Sequence, residues 1–153
     1  MLHIIMPYKQ IEITVKYRGS RNSAPPPHIA DSLIAAKITR QISDHNTILW
    51  KESAFILCLN SNNKLLGWNS LAIGGMGSIN IDIRIIATIA LKTIATAIIL
   101  IHNHPCGNLL PSYRDVQVTR RLKRALDLID IKLQDHIIIS DNDHFSMKEA
   151  CLF

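Results

Sequence analysis

A chain of 153 residues is long enough for one domain with a sizeable core, and its 48% hydrophobic and 19% charged composition excludes a disordered or low-complexity polymer. Its three cysteines, Cys58, Cys106 and Cys151, are odd in number and widely spaced, which excludes a disulfide framework or a cysteine-based zinc motif and favours a reducing cytoplasm. A net charge of +5 permits contact with nucleic acid or an acidic partner without requiring one.

At the N-terminus, Met1 to Pro7 carries no basic segment and only Ile4-Ile5-Met6 as an apolar run, too short for a signal peptide. Residues 10–17 alternate, with Ile11, Ile13, Val15 and Tyr17 on one face and Glu12, Thr14 and Lys16 on the other, as a half-buried strand does. Gly19 to His28 reads as a spacer, because Pro25-Pro26-Pro27 can neither extend a strand ladder nor sit inside a helix. The expected organisation is therefore an N-terminal strand and proline-rich linker over 1–28, followed by one domain over 29–153.

Within that domain, Ile29 to Asp44 has a helical stripe of Leu33, Ile34, Ile38 and Ile42. Trp50-Lys51-Glu52 leads into a strand over Ala54 to Leu59, a polar turn over Asn60 to Asn63, and a second strand over Leu65 to Ile73. Gly74, Gly75 and Gly77 punctuate its end. From Asp82 the period becomes helical, predicting a buried helix to about Thr93, then a buried strand over Ala97 to Ile101. The apolar run Ile85 to Ile101 falls short of the roughly twenty residues a membrane span needs and divides naturally into that helix and strand.

The strand delivers His102-Asn103-His104-Pro105-Cys106-Gly107. Side chains alternate along a strand, so His102 and His104 leave the same face and their imidazoles can converge. Pro105 and Gly107 turn the chain, and Pro111-Ser112 opens a helix with Ser112 as N-cap and Asp115 in its first turn. Two neutral imidazoles and a carboxylate are what a tetrahedral Zn²⁺ takes when its fourth position is left for water. The same residues also admit a plainer reading, a capped helix with a carboxylate near its positive end and two strand-end histidines bonded to backbone.

The helix from Ser112 to about Ile129 turns Val118, Leu122, Ala125 and Ile129 inward, among Arg114, Arg120, Arg121, Lys123 and Arg124. Lys132 to Ile139 is a strand, Ser140 to Asp143 a turn, and His144-Phe145-Ser146 a short last strand before a helical turn. Alternation places Asp135 and His136 on opposite faces, a structural pair rather than a dyad. His3, His28, His45 and His144 read as solvent-exposed, and Trp50 and Trp68 as packing residues rather than a base-stacking platform. Helices alternating with short strands make the class α/β or α+β.

His102-x-His104, seven residues, then Ser112-x-x-Asp115 resembles the JAMM motif of JAB/MPN-domain metalloproteins. The longer string, with Asn103, Pro105, Gly107 and Pro111 in place, is similar to the RadC-like branch of that superfamily. The similarity runs over residues 48–153 and includes Gly74-Gly75, Thr119, Leu122 and Asp135-His136-Ile137-Ile138. It implies a JAB/MPN fold, a curved mixed sheet flanked by helices and cytidine-deaminase-like. It also implies a Zn²⁺-dependent hydrolase of an amide or isopeptide bond in a peptide or protein, with His102, His104 and Asp115 as metal ligands. Glu52, ahead of the first central strand, matches the glutamate that serves such enzymes as base, and Ser112 matches the serine that steadies the oxyanion. Glu52 is the only carboxylate between Asp44 and Asp82, and its alternative reading is an exposed charge at a strand edge. Cys106 departs from the serine usual in RadC-like sequences. Its thiolate could displace water from a metal or oxidise, or the residue is simply small enough for the turn.

A second function of a different class is a DNA-repair-associated accessory protein that binds DNA or a DNA-repair protein without peptidase activity, in keeping with the repair label of the RadC-like family. Its candidate contacts are Arg120, Arg121 and Arg124, on a helix that also reads as a solvated amphipathic face. Longer relatives carry an N-terminal helix-hairpin-helix region for DNA. Residues 1–47 show no glycine-hinged hairpin of that kind. A metal-free scaffold, as in MPN domains without the ligands, is disfavoured by the intact triad.

Overall fold

A computed structural model describes residues 25–44, 48–73 and 80–153. The strand expected over 10–17, the glycines at 74, 75 and 77, and His3 and His45 lie outside these described residues. The elements are α1 (Ser32–Ile42), β1 (Ser53–Leu59), β2 (Leu65–Ile73), α2 (Ile83–Lys92), β3 (Ala97–Asn103), α3 (Tyr113–Asp127), β4 (Lys132–Ile139) and β5 (His144–Ser146). They build one five-stranded sheet in the order β2-β1-β3-β4-β5. β1 runs antiparallel to both β2 and β3, β3 pairs parallel with β4 through the α3 crossover, and β5 closes antiparallel on β4. This is the mixed sheet flanked by helices expected for a JAB/MPN architecture.

The central strands are apolar on both faces because both are covered. Leu57, Leu59, Ile99, Ile101, Ile137 and Ile139 pack with Ala35 and Ala36 of α1. On the opposite face Ile56, Cys58, Ile98 and Leu100 pack with Ile86 and Ala90 of α2 and Leu122 and Leu126 of α3. At about 25 cal/mol per Å² of apolar surface, these two layers are the main stabilising term. The second face, continued past Leu100, is the face from which His102 emerges.

Each helix differs from its expected burial. In α1 the fully buried residues are Ser32, Ala35, Ala36 and Thr39, while Ile34, Ile38 and Ile42 lie at the margin and Leu33 is 45% exposed. Small side chains line the contact and let the helix approach the sheet closely, with the isoleucines closing its edges. α2 is only half-buried: Ile86 and Ala90 point inward, and Ile85 and Leu91 are exposed. In α3 Leu122 is buried as expected, but its buried partners are Thr119 and Leu126 rather than Val118, Ala125 and Ile129. The helix ends at Asp127, and Ile129 falls in the following turn. Asp115, Thr119, Leu122 and Leu126 keep helical spacing, so the inward stripe begins with two polar residues that serve the site.

The expected linker does not run free to its end. Ile29 N donates to Asn63 O at 2.8 Å, Leu65 N donates to Pro27 O at 3.0 Å, and His28 bridges Lys64. Proline has no N–H to give, but its carbonyl still pairs with the start of β2. His144 is also not a free surface residue, since its Nε2 lies 3.0 Å from Ser32 Oγ. Trp50 and Trp68 are both about half exposed, Trp68 tilted against Phe55, and so are rim residues. Among the described residues, no helix is long and apolar enough to cross a membrane.

Candidate metal centre

The C-terminal end of β3 sets the site. His102 is buried at 1% exposure, and His104, just past the strand, faces the same way. Their Nε2 atoms lie 2.9 Å apart. The turn between the strand and α3 closes with Gly107 N donating to His104 O at 3.0 Å. Gly107 takes φ +75°, a left-handed conformation that costs glycine little. That turn brings the Asn108 carbonyl to 2.6 Å from His104 Nδ1. A carbonyl only accepts, so Nδ1 carries the ring proton and, in the neutral ring, Nε2 presents a lone pair.

α3 contributes Asp115 through a capping box. Ser112 N and Ser112 Oγ both donate to Asp115 Oδ2, at 2.7 and 2.5 Å, and Asp115 N donates back to Ser112 Oγ at 3.2 Å. With Oδ2 occupied, Oδ1 is turned toward His102 Nε2 at 3.3 Å, and Oδ2 remains 3.6 Å from His104 Nε2. The capping reading of Ser112 and Asp115 is what the structure shows, and the cap also aims the carboxylate at the two imidazoles. One ligand atom from each of His102, His104 and Asp115 lies within 4.8 Å of the others.

Glu52 arrives from a different part of the chain. In the antiparallel β1–β3 pair Ala54 faces His102, and directly opposed residues project to the same side. Two residues further, that register sets Glu52 against His104. Glu52 is only 8% exposed, which removes the reading of an exposed strand-edge charge, and its Oε2 is buried with no hydrogen-bond partner. The segment carrying it is pinned by Asn103, whose Nδ2 donates to Ile48 O and Lys51 O, both at 2.8 Å, while Oδ1 accepts from Ser53 N at 2.8 Å.

The electrostatics match a site built for positive charge. Burial pushes the Glu52 carboxyl above its ordinary range, against the pull of His104 and Arg114. Burial also works upward on Asp115, but bonds from His104 and Ser112 and the nearby His102 hold it well below the carboxylate range. The hydrogen bond to Asp115 raises His104, whereas burial lowers His102 to about 4. Buried His136 is likewise held well below the usual histidine range by desolvation.

The donor chemistry fits a divalent ion. Two imidazole nitrogens and a carboxylate oxygen converge, all acceptors, beside a buried carboxylate oxygen that nothing in the protein satisfies. His104, Asp115 and Glu52 line a cavity of about 630 Å³, together with Ser112, Arg114 and Arg121 among others, and His102 lies buried behind them.

A family model described as the RadC-like JAB domain matches residues 29–152. The chain belongs to the RadC-like JAB domain family. Similar relatives are named UPF0758 protein. That of Porphyromonas gingivalis is 40% identical over 125 residues, covering 81% of this chain and 54% of the relative. That of Chlorobaculum parvum is 42% identical over 102 residues, covering 67% and 46%. That of Flavobacterium johnsoniae is 36% identical over 102 residues, covering 67% and 44%. The RadC-like chain thus spans about half the length of the curated relatives it matches.

Against the expected site residues, the fold brings together His102, His104, Asp115, Ser112 and Glu52, and does not gather the arginines. Arg121 lines the cavity; Arg120 Nε instead donates to Leu152 O at 3.3 Å, and Arg124 is not in the lining. Cys106 is exposed at the cavity wall. Asp135 and His136 do diverge: Asp135 accepts from Ser146 Oγ and Lys148 N, and His136 turns to the site. Reading His136 as merely structural missed that its Nε2 lies 2.8 Å from His102 Nδ1 and its Nδ1 2.5 Å from Thr119 Oγ1. Polar Asp135 and His136 directly ahead of the apolar run Ile137 to Ile139, within one strand, were the available signal.

Proposed function

We propose that this RadC-like chain is a zinc-dependent hydrolase of the JAMM type, cleaving an amide or isopeptide bond in a peptide or protein. The observation that supports it most is the convergence of His102, His104 and Asp115, the last two on the wall of a cavity that the buried, unpartnered Glu52 carboxylate also lines. Those three residues would hold the ion, and Zn²⁺ suits two imidazoles and a carboxylate with an open side. When bound, the ion supplies Lewis acidity and brings the pKa of a water to about 7.

Glu52 would accept the proton of the attacking water and pass it to the leaving amine. Its raised pKa makes it a better proton carrier near neutrality than an ordinary carboxylate. Asn103 holds that glutamate in place through the backbone of Ile48, Lys51 and Ser53. Ser112 already gives its hydroxyl proton to Asp115 Oδ2, so support of an oxyanion requires rotation of its side chain away from the cap. The free cysteines suit a reducing cytoplasm.

The test is elemental analysis of protein purified without added metal, with peptide and isopeptide hydrolysis measured alongside. Near-stoichiometric zinc is expected, lost in His104→Ala. Glu52→Gln should keep the zinc while turnover falls by about 10²–10⁴-fold. A wild-type protein that takes up no zinc, even when supplied, would overturn the reading. So would chelator-insensitive, salt-sensitive DNA binding that depends on Arg120, Arg121 and Arg124 and comes with no hydrolysis. That result would favour the accessory role.

A further inference from the structure

Behind His102 lies a chain of buried polar contacts that leads back into α3. His102 Nδ1 is 2.8 Å from His136 Nε2, His136 Nδ1 is 2.5 Å from Thr119 Oγ1, and Thr119 Oγ1 is 2.5 Å from the Asp115 carbonyl oxygen. His136 and Thr119 are wholly buried, and His102 nearly so. No water-exposed group can enter this line, so its protons must be assigned among its own members.

A carbonyl oxygen and a hydroxyl oxygen at 2.5 Å repel unless a proton lies between them, and only the hydroxyl has one. The sulfur of Met147, at 3.6 Å, is a far weaker claimant for it. Thr119 has therefore spent its one proton and can only accept from His136, so His136 Nδ1 is the protonated nitrogen. A neutral imidazole carries one ring proton, which leaves His136 Nε2 as an acceptor. His102 must then donate from Nδ1, and its Nε2 is left with a bare lone pair. That is the nitrogen that faces His104 Nε2 and Asp115 Oδ1.

We propose that His136 and Thr119 are positioning residues that lock His102 in its Nδ1-protonated tautomer and hold its Nε2 lone pair on the metal position. The proposal rests on the metal-site reading above. The anchor is the backbone of Asp115, so the residue whose carboxylate is a ligand also fixes, through its carbonyl, the tautomer of a second ligand. His104 gets the same lock by a shorter route, its Nδ1 facing the Asn108 carbonyl. Partners behind a ligand imidazole of this kind typically contribute roughly ten- to hundredfold in metal affinity. The relay also accounts for a buried threonine on the inward stripe of α3, where an apolar residue would otherwise serve.

The test has two readouts. In chelator-treated protein, long-range proton–nitrogen NMR should show His102 and His136 each with a protonated Nδ1 and an unprotonated Nε2. A His102 protonated on Nε2 overturns the relay. The second readout is Zn²⁺ affinity by competition with a chromophoric chelator. Thr119→Val, nearly isosteric, should lose roughly tenfold or more and mix the His102 tautomers, and Thr119→Ser should restore both. Should Thr119→Val fail to fold, His136→Gln replaces it: its side-chain carbonyl can still accept from His102, so it should bind zinc more tightly than His136→Leu. Wild-type zinc binding with Thr119→Val or His136→Leu unchanged overturns the relay and leaves the metal reading intact. No zinc bound by the wild type overturns the metal reading itself, and this proposal with it.

Discussion

His102, His136 and His104 pull the pH dependence of the metal-free protein in separate windows. Burial lowers His102 from 6.5 to about 4 and depresses His136 as well. The unfolded chain therefore binds more protons below 6.5, and their contribution to stability is lost as pH falls from there toward 4. His104 is raised, so its contribution is present below 6.5 and lost as pH rises through its folded pKa. With chelator present, urea midpoints should fall from about pH 6.5 to about pH 5. A flat profile would show that the two buried imidazoles do not stay neutral. With zinc supplied, the high-pH loss at His104 should vanish, because the ion takes the place of the proton.

At the scale of elements, the strand–turn–helix unit from β3 to α3 has little slack. Ser112 both caps α3 and fixes Asp115 Oδ2. Ser112→Ala should cost about 1 kcal/mol in urea unfolding of the metal-free protein and also weaken zinc binding, since only the Ser112 backbone N–H is left to hold Asp115 Oδ2 and steer Oδ1. Ser112→Thr, which keeps the hydroxyl, should recover both. The strands were readable almost to the residue because alternation and flanking turns are local signals: β2 and β4 fall on Leu65–Ile73 and Lys132–Ile139 as expected. The helix faces were not, because hydrophobic periodicity gives large residues the greatest weight. In α1 the contact is made by Ala35, Ala36 and Thr39, and in α3 by Thr119 beside Leu122 and Leu126. Small size and a buried hydroxyl decide those faces, and neither registers as hydrophobicity.

Across the whole molecule, the legible part of the site is the part that is contiguous in sequence. His102, His104, Ser112 and Asp115 lie within one short stretch whose strand and cap grammar already aims them together. Glu52 needed the β1–β3 register, with Ala54 opposite His102, and His136 needed the parallel pairing that sets it beside Leu100. Strand pairing between distant segments has no local sequence signature. That is why the second role of His136 emerged only from the fold, while the position of Glu52 rested on resemblance.

This split between near and far contributors has a kinetic side. Closing the stretch that bears His102, His104 and Asp115 costs only short-loop entropy, whereas bringing Glu52 to His104 requires the distant β1 and β3 strands to pair first. On the proposed reading, metal capture and reactivity are separable events along the folding coordinate. If the chain is a zinc hydrolase, gradual denaturation in urea should end substrate hydrolysis while zinc is still retained. Release of zinc to a chromophoric chelator, followed together with turnover, checks this. Coincident loss would mean that the ligand stretch has no independent hold on the ion. Separate loss would mean that the distant strand, not the ion, decides when the molecule begins to work.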